Sequence, residues 1–185
     1  KQPVAEMMKP LKGRDITALL KQPQAPQFSA DREALLFCYS QLMVHDPKFT
    51  KMLYTVVADK SVSQLQQFKK LEDFPVDWSL RVSIRSIFDG RYKFSRYFSF
   101  KNFNTPLTIE ELVKNNDLEL YDTLKDPNET NNLASNLDAN RELISEMNQK
   151  MNRVIAREIG KDDGSFLPLK DWINWDGAHT KLLNI

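Results

Sequence analysis

The sequence holds few residues whose type and spacing could form a catalytic or metal site. His45 and His179 are the two histidines, and neither has a Cys, His or carboxylate partner at zinc-ligand spacing. Cys38 lies in the apolar run 34–39, which is typical of a small buried hydrophobic residue rather than a reactive thiol. The five glycines form no phosphate-binding loop. These patterns predict no catalytic residue and no metal site, and they leave any substrate-binding residue unknown.

Two acidic pairs near the C-terminus are further candidates. Asp162 with Asp163, and Asp171 with Asp176, bring together carboxylates of the kind that do acid–base chemistry or bind cations. The segment 161–164 has the composition of a turn after a helix. We therefore interpret these residues as solvated turn residues.

A group of basic residues interleaved with aromatic ones lies in the middle of the chain. Its members are Arg81, Arg85, Arg91, Lys93 and Arg96, with Tyr92, Phe94, Tyr97 and Phe98 between them. Such a pattern is found in platforms for single-stranded nucleic acid, and equally in a sheet with one solvated face. The 26 basic and 25 acidic residues give a net charge of only +1, so we expect no nucleic-acid partner.

The elements that must position these residues belong to a chain of ordinary globular composition. The 185 residues are 41% hydrophobic and 28% charged, which fits one soluble domain with extensions. No apolar stretch of about 20 residues is present, so we expect no membrane span. One cysteine excludes an internal disulfide and leaves the compartment open. Asn128-Glu129-Thr130 fits the N-glycosylation pattern, which matters only in a eukaryotic secretory setting.

Periodicity and turn chemistry predict an α+β fold. We expect a short helix at 15–20, a buried strand at 33–39, helices within 46–71, strands at 80–89, 91–98 and 118–121, and a long helix at 138–159. Asp89-Gly90 marks a hairpin turn whose two positions need positive φ. The helix has an apolar stripe of Leu143, Ile144, Met147, Met151, Val154, Ile155 and Ile159, with Asp138 as its N-cap. The expected architecture is a small antiparallel sheet of about four strands packed by this C-terminal amphipathic helix, with a helical insert.

Four stretches follow one another along the chain: KGRDITALL at 12–20, REALLF at 32–37, RSIFDGRYKF at 85–94 and ELYDTLKDPNETNNLA at 119–134. Together and in this order they resemble the C-terminal portion of the type I, arylsulfatase-like sulfatases of the alkaline-phosphatase-like superfamily. The resemblance implies a connector at 1–30 that resembles the end of the catalytic domain. It further implies a sulfatase C-terminal subdomain at 31–160 with a helical insert at 40–79, and a tail at 161–185 packing on the domain.

The resemblance also implies where the chemistry of the intact parent lies. Type I sulfatases hydrolyse sulfate esters with a formylglycine made within Cys/Ser-x-Pro-Ser-Arg and with a calcium ion. Cys38 is followed by Tyr39-Ser40-Gln41-Leu42, so it is not that nucleophile. We expect this segment to hold no cofactor, to support the fold beside the catalytic α/β domain of the same parent chain, and to be inactive alone. Because the chain begins with Lys1, we expect a processed protein or a piece of a longer one.

Further expectations concern surfaces. The insert carries Lys48, Lys51, Lys69 and Lys70, and we expect it to border the parent's substrate cleft. An apolar patch formed by Ile16, Leu19, Leu20 and residues 172–175 is expected to face the catalytic domain, or to be buried by self-association of the isolated segment. The resemblance favours a periplasmic or extracellular location. Alternatives are a stand-alone interaction module that binds a protein or an anionic polymer through the basic hairpin, and a subdomain of a related phosphatase or phosphodiesterase.

Overall fold

The computed structural model of the chain describes residues 17, 21, 33–40, 46–72, 77, 79–99, 102 and 105–164. Several sequence predictions lie outside these residues. They are the connector at 1–30 and its helix at 15–20, apart from Thr17 and Lys21, the two histidines, the pair Asp171 and Asp176, and the packing of the tail beyond residue 164.

The core of the fold is one antiparallel sheet of four strands. The strands are β1 (Leu35–Ser40), β2 (Ser83–Phe88), β3 (Tyr92–Phe98) and β4 (Asp117–Asp122), and each pairs with the next along the chain. The helices among the described residues are α1 (Pro47–Ala58), α2 (Gln64–Glu72), α3 (Ile109–Asn115) and α4 (Leu137–Glu158). The predicted α+β class, with a small antiparallel sheet and a long C-terminal helix, is confirmed. None of these helices combines the length and the apolar character that a bilayer-spanning segment requires.

The β2–β3 hairpin forms where it is predicted, although its turn is one residue further along. The backbone N–H of Asp89 donates to the carbonyl of Tyr92 at 3.2 Å, so Gly90 and Arg91 are the central residues. Gly90 has φ +100°, and Arg91 does not share a positive φ. A glycine at the first central position is the pattern of a type II′ turn. The expectation that both Asp89 and Gly90 adopt positive φ is therefore wrong.

Helix α4 covers one face of the sheet, which we call the inner face. The side chains of Ile144, Met147, Met151 and Val154 are fully buried, and Ile87, Phe94 and Leu120 meet them from adjacent strands. The N-cap lies two residues earlier than expected, because the Asn136 side chain, rather than Asp138, accepts the capping hydrogen bond from the N–H of Ala139. Gly160 ends it with φ +93°, the left-handed conformation typical of a C′ glycine. Ile159, counted in the apolar stripe, is 41% exposed.

Strand β1 corrects the prediction of a buried strand at 33–39. It lies at the edge of the sheet and pairs with β2 alone among the described strands. Its outward side chains Leu35, Phe37 and Tyr39 are 47%, 58% and 52% exposed. A continuous apolar run predicts burial on both faces of a strand, but here α4 covers one face only.

The described part of the segment between β1 and β2 is largely helical, as expected for the insert. Helix α1 begins at a cap in which the Asp46 carboxylate accepts hydrogen bonds from the N–H groups of Lys48 and Phe49. Phe49 and Val56 form its buried face. In α2, the side chain of Leu65 is 64% exposed.

Helix α3 is an element that the sequence prediction missed. The Thr108 hydroxyl accepts from the N–H of Glu111, and the Glu111 carboxylate accepts from the N–H of Thr108. This reciprocal arrangement is a capping box, and its Thr-x-x-Glu signature is visible in the sequence. Ile109 and Leu112 then pack into the core.

Candidate functional site

The basic residues 81, 85, 91, 93 and 96, which we call the hairpin cations, are the first candidate site. Two of them are buried in the interior of the protein. Arg85 and Arg96 are each 1% exposed and face α4 from neighbouring positions on β2 and β3. The expectation that the basic residues line a solvated sheet face is wrong for both. Strand alternation places them on the inner face, in line with Ile87 and Phe94.

Arg85 is held by a buried carboxylate. Its Nε and Nη2 donate to the two oxygens of Asp162 at 2.9 and 2.8 Å, in a bidentate pair. Its Nη1 donates to the carbonyl of Ile84, and its guanidinium lies 5.0 Å from the centre of the Phe98 ring. Asp162 is therefore not the solvated turn residue that we predicted. It ties the segment after α4 to the middle of the sheet.

Arg96 is buried without a carboxylate. Its Nη1 donates to the Oδ1 atoms of Asn148 and Asn152 at 2.8 and 2.7 Å, and both amides donate to the carbonyl of Pro106. Among the described residues, its Nε and Nη2 have no hydrogen-bond partner. Burial lowers the pKa of Arg96 to about 10, so the side chain is still charged at neutral pH. This network joins β3, α4 and the segment before α3.

The other three hairpin cations form ion pairs nearer the surface. Arg91 donates from Nη2 to Asp122 at 2.7 Å, Lys93 from Nζ to Glu129 at 2.6 Å, and Arg81 from Nη1 to Asp117 at 2.5 Å. The hydrogen bonds from Arg91 lower the pKa of Asp122. Each of the five cations is thus engaged within the fold.

Asp89 fastens the hairpin turn to the long helix. Its Oδ1 accepts from the N–H groups of Arg91 and Tyr92 at 3.0 and 2.8 Å, and its Oδ2 accepts from Lys150 Nζ on α4 at 2.6 Å. Burial opposes the ionisation of Asp89, but these hydrogen bonds outweigh it and leave its pKa below the usual value. The carboxylate is structural, because its oxygens are turned to groups of the fold.

Two polar residues of the 119–134 stretch fasten the chain after β4. The Asn132 side chain accepts from the N–H of Leu120 at 2.9 Å and donates to the carbonyl of Leu118 at 3.1 Å. The Asp126 carboxylate accepts from the N–H of Asn131 and the hydroxyl of Thr130. Leu133 then packs against the core. These contacts shape the loop that leads from β4 to α4.

Cys38 is exposed, which corrects the prediction of a small buried hydrophobic residue. It lies on β1 opposite Arg85. Partial burial raises the pKa of the Cys38 thiol, an effect that the charge of Arg85 opposes only in part. A raised thiol pKa means little thiolate at neutral pH, and a reactive nucleophile needs the thiolate.

The face of the sheet turned away from α4, which we call the outer face, carries a shallow apolar groove of about 400 Å³. Leu35, Phe37, Ile84, Phe88 and Tyr97 line it. Leu35 and Phe37 are exposed, and Ile84, Phe88 and Tyr97 are half-buried. Sequence reasoning missed this surface because it took the β1 run as buried.

The floor and one end of the groove are polar. Ser86 and Ser95 share a buried hydrogen bond of 2.8 Å between their hydroxyls in the floor. At the end nearer β4, the Tyr97 hydroxyl donates to Glu119 at 3.0 Å. Burial, together with this carboxylate, raises the pKa of Tyr97 to about 12. Because these polar groups are hydrogen-bonded to one another, the surface that the groove presents is mainly apolar.

The remaining candidate residues do not converge on a site. The insert lysines Lys48, Lys51, Lys69 and Lys70 are exposed, and Asn128 of the glycosylation pattern is exposed beside the loop after β4. Within the part of the chain that the structure describes, no three His, Cys, Asp or Glu side chains come together as metal ligands do.

Comparisons of the chain with protein-family models, with curated proteins and with solved structures find no match. Its function is therefore argued from its own motifs and contacts.

Proposed function

We propose that this chain is the C-terminal subdomain of a type I sulfatase. In the intact parent, a catalytic α/β domain would supply the formylglycine nucleophile and the calcium ion. This segment would support the fold, and its insert would border the cleft that receives the sulfate ester. The observation that carries the proposal is the order of the sulfatase-like motifs along the chain, combined with the part that their polar residues play in the fold.

The motif residues supply the joints of a hairpin-and-helix unit. Asp89 joins the β2–β3 turn to α4 through Lys150, and Arg91 joins the same turn to Asp122 at the end of β4. Asn132 pins the following loop to β4. Motif residues that hold the hairpin, β4 and α4 together by hydrogen bonds explain why a scaffold subdomain carries these motifs without carrying catalytic groups.

Three carboxylates that hold the fold together do not fit a calcium site. Asp162, Asp122 and Asp89 bind Arg85, Arg91 and Lys150 respectively, in the pairs just described. Calcium takes six to eight oxygen ligands, several of them carboxylates free of other cations. We therefore assign no catalytic step and no calcium ligand to these residues.

The ion pairs of the hairpin also bear on the alternative of an anion-binding module. A platform for an anionic polymer needs cations that are free to meet it. Here Arg85 and Arg96 are buried, and Arg91, Lys93 and Arg81 face carboxylates of the chain. This engagement favours the scaffold proposal.

The test is aryl-sulfate turnover measured on two proteins side by side. The first is the purified 185-residue chain, and the second is the full-length product of the same reading frame. We expect turnover from the full-length protein, its loss when the Cys or Ser of Cys/Ser-x-Pro-Ser-Arg is replaced by Ala, and none from the 185-residue chain with or without calcium. A complete reading frame without that motif, or turnover of the short chain that survives repurification, contradicts the proposal.

A further inference from the structure

Three buried residues at one end of the inner face carry polar atoms that have no hydrogen-bond partner among the described residues. The atoms are Nε and Nη2 of Arg96, Nδ2 and Oδ1 of Asn116, and Oγ of Ser83. Buried polar atoms in folded proteins are nearly always hydrogen-bonded, and an orphaned group points to a water molecule or an ion that pairs with it.

The three residues are neighbours on adjacent strands. Arg96 on β3 lies opposite Arg85 of β2 and Leu118 of β4. Ser83 comes two positions before Arg85 on β2. Asn116, whose backbone is extended, comes two positions before Leu118. Strand alternation places Ser83 and Asn116 on the inner face as diagonal neighbours of Arg96, with Cα atoms about 7–8 Å from its Cα, within reach of a long side chain. We call these three residues the Arg96 cluster.

The orphaned edge of Arg96 is the edge with which a guanidinium binds anions. In Arg85, Nε and Nη2 donate to the two oxygens of Asp162 at 2.9 and 2.8 Å. In Arg96, the acceptors Asn148 and Asn152 both bind Nη1, on the other side of the group. Within the described part of the chain, Nε and Nη2 are therefore left as a two-pronged donor. This fork has a fixed planar geometry that matches the shape of an oxyanion.

The charge at this place favours an anion over a water molecule. Among the described residues, Asp162 is the carboxylate near enough to act on Arg96, and it is already bound to Arg85. A water molecule would accept from the N–H groups of Arg96 but would leave its charge uncompensated, which is costly in a buried site. The side chains of Asn116 and Ser83 add further donors, so the cluster is rich in donors and positively charged.

The burial of the cluster limits the size of a ligand. The orphaned atoms have almost no contact with solvent, so a bound group must be small enough to be enclosed. No described hydrogen bond fixes the side chains of Ser83 and Asn116, so both can turn to admit a ligand.

We propose that the Arg96 cluster binds a small inorganic anion, held by Nε and Nη2 of Arg96 and by the Asn116 amide, with Ser83 as a further donor. The anion does for Arg96 what Asp162 does for Arg85, so each buried guanidinium has a negative partner beneath α4. Because such an anion binds the folded chain and not the unfolded one, it stabilises the fold. The inference does not depend on the proposed function.

Thermal unfolding of the 185-residue chain tests the site. The chain is unfolded in sodium gluconate, whose anion is too large to be enclosed, and chloride or inorganic phosphate then replaces gluconate at constant ionic strength. Constant ionic strength keeps general screening the same. We expect Tm to rise and saturate with chloride or with phosphate, by about 5–10 °C when the anion is at about a hundred times its Kd.

Two variants show whether the effect arises at the cluster. Asn116→Asp supplies a built-in negative charge beside Arg96, so it should raise Tm in gluconate and remove the dependence on chloride or phosphate. Asn128→Asp makes the same substitution at an exposed position and is the matched control, which should keep that dependence. Arg96→Met removes the buried charge and should also abolish the dependence.

Crystals grown with the stabilising anion identify the occupant, with bromide standing in for chloride because its anomalous scattering distinguishes it from water. We expect the anion beside Nε and Nη2 of Arg96. Equal Tm values in gluconate, chloride and phosphate overturn the proposal, and an anion seen only in the crystal is then an adventitious ion only. An anion effect that persists in Asn116→Asp and Arg96→Met, or a water molecule or another part of the chain at the fork, overturns it as well. None of these outcomes bears on sulfate-ester hydrolysis, so the two proposals fail separately.

Discussion

Replacing Asp162 by alanine removes the carboxylate that neutralises Arg85 inside the fold. Both side chains are 2% exposed, so the charge left on Arg85 cannot reach water without movement of the sheet or of the segment after α4. Arg96, a second buried cation, is near enough to repel it. Breaking a buried ion pair by removing one partner costs about 3–5 kcal/mol.

That loss is large enough to measure by thermal unfolding. For a chain of this size, each kcal/mol corresponds to a shift in Tm of about 2–4 °C, so Asp162→Ala should lower Tm by roughly 6–20 °C. Lys161→Ala is the matched control, since Lys161 is 86% exposed and pairs with Asp163 at the surface. An exposed pair contributes at most about 1 kcal/mol.

A double-mutant cycle separates the destabilisation caused by the unpaired charge from that caused by the altered shape of the side chains. Arg85→Met/Asp162→Leu replaces both charges by apolar groups, and such replacements are often neutral or stabilising. We expect the double variant to be more stable than Asp162→Leu, with a coupling energy toward the upper end of about 0.5–3 kcal/mol. An Asp162→Ala melting temperature equal to that of the Lys161→Ala control, or a double variant no better than the single ones, would falsify the reasoning.

Three further perturbations follow from the fold. Because the pKa of Asp89 is lowered in the folded state, its contribution to stability is complete above about pH 4 and is lost as the pH falls through the lower folded value. In Asp89→Asn, the free energy of unfolding should therefore depend less on pH in that range, and an unchanged acid unfolding curve would count against this. Met151→Asp, which buries a carboxylate under the sheet, should lower the free energy of unfolding by several kcal/mol, roughly the range of the most destabilising core substitutions. Gln149→Asp, on the exposed side of α4, should change Tm little, and equal melting temperatures of the two variants would contradict this prediction. Because the thiol pKa of Cys38 is raised, its reaction with a disulfide reagent at neutral pH should be slower than that of the urea-unfolded chain, and the rate should keep rising above pH 9. A plateau reached below the ordinary thiol pKa of 9.0 would show the opposite.

Residue periodicity and turn residues predicted most of the helices and strands. The stripe Ile144, Met147, Met151 and Val154 recurs at helical spacing whatever the helix packs against, and it predicted α4 to within a residue or two. Gly90 predicted the hairpin because a tight turn between strands needs a residue that accepts positive φ. Helix α3 could also have been predicted from the sequence, because Thr108 and Glu111 have the spacing of a capping box.

Burial was decided by the tertiary structure. The same alternation that would put Arg85 on a wet face puts it on the inner face once α4 lies there, and the cost of burying it is offset only because Asp162 arrives from 77 positions further along the chain. The β1 run looks like a core strand by composition, yet it lies at the edge of the sheet with Phe37 facing outward. Which face of a strand is covered depends on elements far away in sequence, and local periodicity carries no information about them.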